Sequence, residues 1–174
     1  MTDEDKPRLL VIAGPNGSGK TTLTDALRKS HDVGEYINPD DITKDLLKNT
    51  SHAPSVDELF KANKVAQEIS EIRRQQALDE RRSLSFETVL SHPSKIDFMR
   101  DAKDKGYDVS LYFVGTDDPL INLQRVENRV ENGGHDVPHD KILARYDRTM
   151  DLLPDAVKVT DQAFIFDNSD DKSA

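Results

Sequence analysis

The chain reads as a three-layer α/β domain built on a parallel sheet of about five strands. Short apolar runs alternate with longer segments whose apolar residues recur at helical spacing, the pattern that successive βαβ units produce. A glycine-rich motif, Gly14-Pro15-Asn16-Gly17-Ser18-Gly19-Lys20-Thr21, stands between the first such strand and the first such helix. With 174 residues the chain has the length of one domain covered by helices on both faces of its sheet. No internal repeat or linker divides it, and the expected core runs over about residues 8–168.

Arg8 to Ala13 is the first strand and Thr21 to Lys29 the first helix. Glu35 to Asn38 forms a short second strand, which Pro39 and Asp40 end, and Asp41 to Lys48 continues as helix. Pro54 precedes a long helix from Val56 to Asp79. Its Leu59, Ala62, Ala66, Ile69 and Ile72 fall on one face and are expected in the core. Leu84 to Val89 is the third strand. Pro93 opens a helix that Gly106 stops after Lys105, and Asp108 to Val114 is a buried strand. A helix from Pro119 to Val130 follows, then a polar, glycine-rich segment, 131–138, expected to act as a lid. His139 to Leu153 is the last helix and Gln162 to Asp167 the last strand. The tail beyond Asn168 is polar.

The glycine-rich motif satisfies G-x-x-x-x-G-K-[ST] at every fixed position. Such a loop turns its backbone N–H groups inward around phosphate oxygens, and Gly17 and Gly19 permit the partly left-handed backbone this requires. Lys20 can then reach the β- and γ-phosphates while the Thr21 hydroxyl holds Mg²⁺. Gly14 to Thr22 is therefore the expected binding segment for a nucleoside triphosphate, ATP or GTP. A dinucleotide fingerprint is excluded, because Gly17 and Gly19 are followed by Thr22 where a third glycine would be needed. A regulatory GTPase is disfavoured as well. Its N-K-x-D appears only as Asn63-Lys64-Val65-Ala66, and no D-x-x-G occurs.

A formal charge of −9 argues against an extended nucleic-acid groove and favours a small phosphorylated ligand. Without cysteine there is no disulfide or thiolate metal site. His135 and His139 are four apart, but Pro138 intervenes, so no zinc site is expected. The acidic, polar start, Met1 to Lys6, is unlike a secretory signal, and no apolar run approaches the roughly 20 residues of a membrane span. A soluble, cytoplasmic protein without membrane contact is the expectation.

In an open parallel sheet, ligands sit beyond the carboxyl ends of the strands. Asp40 falls there, able to accept a proton from an attacking hydroxyl or to bind Mg²⁺ through water, or else to cap a helix with Asp41 as the alternative cap. Glu87 and Thr88 end the third strand on the same rim. They read either as acceptors for substrate hydroxyls or as structural groups. Arg125 and Arg129 lie on one helical face, and Arg145 and Arg148 on the next helix, so that the four bracket the 131–138 segment. Closure of a lid would bring guanidinium groups over the triphosphate. Solvated helix faces are the plainer reading.

Taken in order, A-G-P-N-G-S-G-K-T-T, I-N-P-D-D-I, F-E-T-V-L-S, G-Y-D-V-S-L-Y-F-V and R-V-x-x-R-V-x-x-G-G-H-x-V-P resemble the zeta-toxin family of P-loop kinases, in its compact branch. The resemblance runs from about Leu9 to Asn168. It implies transfer of the γ-phosphate of ATP or GTP, with Mg²⁺, to a sugar hydroxyl of a UDP-N-acetylhexosamine, and a possible antitoxin protein as partner. It implies that Lys20 and Thr21 are the phosphate and metal residues, that Asp40 is the catalytic aspartate and that Glu87 is the acid contacting the sugar. Arg125 resembles the first charge-neutralising arginine, with Arg129, Arg145 and Arg148 competing for the second. A small-molecule kinase is thus the expected activity. A nucleotide-driven switch acting on a protein partner, or a polynucleotide 5′-kinase, is the alternative.

Overall fold

A computed structural model describes residues 6–49, 52–132 and 137–170. Five strands, β1 (Arg8–Ala13), β2 (Glu35–Tyr36), β3 (Leu84–Thr88), β4 (Asp108–Gly115) and β5 (Gln162–Asp167), form one sheet in the order β2-β3-β1-β4-β5. Every pairing is parallel, as helical crossovers between consecutive strands require. The order places β1 centrally, between β3 and β4. Ala13 is in register with Thr88, so the loops leaving β1 and β3 emerge side by side at the carboxyl edge.

Alternation along β1 decides what each face buries. Leu9, Val11 and Ala13 join Phe86, Leu111 and Phe113 in the larger core, which α3 (Val56–Asp79), α4 (Ser94–Asp104) and α6 (His139–Val159) cover. Leu10 and Ile12 face the other way, onto Leu23 and Leu27 of α1 (Lys20–Ser30). Each such fully buried side chain stabilises the fold by roughly 1.5–3 kcal/mol. The remaining helices are α2 (Pro39–Leu47) and α5 (Pro119–Glu131). Strand β5 forms an edge whose six residues are all exposed, with Phe164 stacked on Tyr112 at 4.8 Å between ring centroids.

Strand β2 stops at Tyr36, two residues short of the expected Asn38, which caps the next helix, and three helices also differ from expectation, each for a local reason. Helix α2 begins at Pro39, two residues early, because Asn38 is its cap: Asn38 Oδ1 accepts the Asp40 N–H at 2.9 Å. Neither Asp40 nor Asp41 caps a helix. Helix α6 passes through Pro154 to Val159 and does not stop at Leu153. Proline inside a helix costs about 3 kcal/mol, and the packing of Ala156, Leu152, Leu153 and Val157 against the larger core offsets it. Helix α3 keeps its expected bounds, set by a capping box in which Ser55 and Glu58 each accept the other's backbone N–H. Its expected apolar face is only partly core, however. Ala62 and Ala66 are buried, whereas Ile72 is 66% exposed. The helix meets the larger core through Ala77 and Leu78.

Among the described residues, no helix is long and apolar enough to cross a membrane. Residues 133–136 of the expected lid, His135 included, lie outside the described residues.

Candidate active site

The phosphate loop is shaped by its glycines and held by two asparagines. Gly17 and Gly19 have φ of +75° and +102°, the left-handed region the motif requires. A Cβ at Gly17 would stand 2.6 Å from the Asn122 carbonyl oxygen, so α5 packs onto the loop as closely as glycine allows. Asn122 itself is fully buried. Its Nδ2 donates to the Asn16 carbonyl at 2.7 Å while its Oδ1 accepts from the Thr116 hydroxyl. Tyr146 donates in turn to the Thr116 carbonyl at 2.6 Å. From the end of β5, Asn168 Nδ2 donates to the Ser18 carbonyl at 2.8 Å. A loop fixed on both sides in this way need not be ordered by its ligand.

Above the loop lies a cavity of about 820 Å³, within the usual range for a small-molecule site. Asn16, Gly17, Gly19, Lys20, Thr21 and Thr22 line it. Gly14, Pro15 and Ser18, also expected in the binding segment, are buried and do not reach the cavity wall. The Lys20 ammonium folds back onto its own loop, donating to the carbonyls of Gly14 and Pro15 at 2.8 Å each. Burial pulls its pKa down from 10.5 to about 8. Glu87 opposes that shift and Arg129 adds to it.

Glu87 is the hub beside Lys20. Its Oε1 accepts from Thr24 of α1 at 2.6 Å and from Tyr36 of β2 at 3.0 Å, while Asn38 donates to the same tyrosine oxygen at 3.0 Å. Burial, and then the Glu87 carboxylate, raises the pKa of Tyr36, which stays a neutral donor. Thr88 lines the cavity too, but its hydroxyl accepts the Leu90 N–H at 3.0 Å and closes the turn after β3. Leu90 has φ of +59°, a conformation costing a non-glycine residue roughly 1–3 kcal/mol. Complete burial holds it there.

Asp40, exposed in the first turn of α2, lines the same cavity, as do Arg125, Arg129 and Arg145. Arg125 is tied down, donating to the Asn168 carbonyl at 2.9 Å. Arg148 is exposed and does not line the cavity. The fold thus brings Asp40, Glu87, Thr88 and three of the four arginines to the phosphate loop, and leaves Arg148 outside.

Sequence reasoning missed part of the wall. Asn63, Gln67 and Arg74 of α3 line the cavity, with Lys95 of α4. Spacings of four and seven residues put the three α3 side chains on one face. That polar stripe was the signal, and the apolar periodicity beside it drew the helix toward the core.

The donor set fits a nucleoside triphosphate with its metal. An open backbone cradle, an ammonium with only carbonyl partners, and the Thr21 hydroxyl at the cavity wall are what phosphate oxygens and Mg²⁺ need.

Comparison with known proteins agrees with this geometry. The zeta toxin family model matches residues 1–173. An uncharacterised protein of Haemophilus influenzae is 28% identical over 139 residues, covering 80% of this chain and 92% of that protein. Among solved structures, one from the PezAT chromosomal toxin–antitoxin system of Streptococcus pneumoniae superposes with a TM-score of 0.67 at 20% identity, over 94% of this chain and 69% of the other. The AvrRxo1-ORF1:-ORF2 complex with ATP gives 0.67 at 20% identity over 90% of this chain, which spans only 51% of that one. At such identities the superpositions speak for the fold. With the family match covering nearly every residue and the phosphate loop in place, the chain belongs to the zeta toxin family of P-loop kinases.

Proposed function

We propose that this chain transfers the γ-phosphate of ATP or GTP to a sugar hydroxyl, that of a UDP-N-acetylhexosamine in particular. One observation carries the reading: a single cavity is lined by both the phosphate loop and the Asp40 and Glu87 carboxylates. Phosphoryl transfer is mostly positioning and charge stabilisation, and that division of labour fits these residues. Lys20 exchanges its loop carbonyls for the β- and γ-phosphate oxygens. Mg²⁺, held through the Thr21 hydroxyl, supplies further neutralisation of those oxygens when bound. Asp40, with no cap to maintain, is free to orient the acceptor hydroxyl and take its proton. Glu87, steadied through one oxygen by Thr24 and Tyr36, offers the other to the acceptor. Arg129 and Arg145 spread the charge that develops on the transferring group.

A screen with γ-labelled ATP and GTP over nucleotide sugars, nucleosides and oligonucleotide ends tests the assignment. A labelled UDP-N-acetylhexosamine is the expected product. Hydrolysis indifferent to every sugar nucleotide, but stimulated by a protein partner, would replace it with the switch reading. Because one structural relative comes from a toxin–antitoxin system, a protein inhibitor covering this cavity is the partner to seek by co-purification.

A further inference from the structure

We infer that the open edge of β5 pairs antiparallel with β5 of a second copy of this chain, centred on Ile165, so that two five-strand sheets join into one. Strand β5 is the outer strand of its sheet, and parallel pairing with β4 uses one side of its backbone. The Asp161 N–H donates to the Val109 carbonyl at 2.8 Å. Backbone groups alternate in direction along a strand, so Ala163, Ile165 and Asp167 turn theirs to β4, and Gln162, Phe164 and Phe166 turn theirs to the open edge. Such an edge is a template for another strand, and proteins usually blunt it with short length, proline or charge. The opposite edge is blunted in that way: β2 has two residues, and its Glu35 is paired with Arg82. By contrast, β5 has six residues, no proline and no charge before Asp167. Its apolar side chains are exposed as well, Ile165 by 60%, Phe166 by 41% and Phe164 by 40%.

Of the residues outside the described ones, only Met1 and Ala174 are apolar, so those segments offer no strand that matches this edge. A second copy does, and the pattern of β5 selects the register. Residues directly opposite in a sheet share a face. Under a two-fold axis normal to the sheet, each residue therefore meets one of its own parity. Centred on Phe164, the pairing would set Asp161 against the partner's Asp167, and like charges directly opposite destabilise a pair. Centred on Ile165, it sets Phe164 against the partner's Phe166, and Phe166 against the partner's Phe164. Ala163 then meets the partner's Asp167. The two Asp167 carboxylates stand about 14 Å apart along the strands, beyond the Debye length of about 8 Å at physiological salt. Phe164 already stacks on Tyr112, which is in register with Ile12. The partner's Phe166 extends that row by one ring. None of the β5 residues lines the cavity, so the interface is independent of the reaction proposed there.

Sedimentation velocity on the full chain, from roughly 1 µM to a few hundred micromolar, reads the interface. One six-residue strand gives a smaller contact than the roughly 800 Å² per partner of a standard complex. The expected dimer is therefore weak, with a Kd on the order of 10–100 µM. Two copies of formal charge −9 repel, so it should tighten as salt rises. Ile165→Lys sets two ammonium groups against each other on the axis. It should stay monomeric at every concentration with an unchanged Tm, because the side chain is exposed. Ile165→Glu should do the same, and an equimolar mixture of the two variants should restore a dimer of one with the other. The chain has no cysteine, which makes a second readout clean. With glutathione disulfide added as oxidant, Ile165→Cys should cross-link to its own copy, since a non-hydrogen-bonded pair has Cα atoms about 4.5 Å apart, within disulfide reach. Gln162→Cys, about 20 Å from its copy along the strands, should not. A wild-type monomer at every concentration, a dimer indifferent to Ile165→Lys, a mixture that stays monomeric, or equal cross-linking at the two positions overturns the inference.

Discussion

Triphosphate binding should draw protons into this protein at mildly alkaline pH. In the free chain burial holds Lys20 at a pKa of about 8, against an ordinary 10.5. About half of its side chains are then neutral at pH 8, about a tenth at pH 7 and about nine-tenths at pH 9. A triphosphate replaces two neutral carbonyl partners with phosphate oxygens, which restores the charged form. Binding at pH 8 should therefore take up about half a proton per site. Above pH 8, affinity should fall about tenfold per pH unit. Phosphate groups themselves titrate near pH 6 and contribute little there. Calorimetry in buffers of different ionisation enthalpy reads the uptake directly. Lys20→Met should abolish it and weaken binding at every pH. Between pH 8 and 10.5 the unfolded chain binds more protons at this group than the folded one, so its contribution to stability rises with pH over that window. No uptake at pH 8, or equal uptake in Lys20→Met, would falsify the placement of this lysine.

Asn122→Ala leaves the Asn16 carbonyl and the Thr116 hydroxyl short of a buried partner. It should cost about 1–3 kcal/mol in urea unfolding and also weaken triphosphate binding; unchanged stability would mean that the loop is not braced through α5. Asp40→Asn should lower turnover about 10²- to 10⁴-fold with an unchanged Tm, because Asn38 caps the helix; normal turnover removes Asp40 from the mechanism. Arg129→Ala and Arg145→Ala should each lower kcat by about 10³- to 10⁵-fold, while Arg148→Ala, outside the cavity, should be close to silent. Uniformly small effects across the three would return these arginines to the solvated surface.

The sheet was legible in the sequence because β1, β3, β4 and β5 each hold a short apolar run and the phosphate loop marks where the first one ends. Helix ends were harder to place where a cap or a proline competed with packing. Asn38 took the capping role for which Asp40 and Asp41 were the visible candidates. The last helix was expected to end at Leu153, and the residues beyond Pro154 are helical because the core reaches them. Half of the cavity was hidden for a different reason. The phosphate loop announces itself by a fixed motif, whereas Arg74 and Lys95 come from different helices, meet only through Glu71, and share no local pattern. Asn122 and Asn168 were invisible for the same reason. Each serves a carbonyl more than a hundred positions away.

Those long reaches bear on how the protein is made. The amide that holds the Asn16 carbonyl follows it by 106 residues along the chain, and the one that holds the Ser18 carbonyl by 150. Strand β5, whose end supplies Asn168, must pair with β4 before the second brace can form. During synthesis the nucleotide-binding sequence therefore precedes both of its braces by more than a hundred residues. Both braces stand only once β5 has joined the sheet.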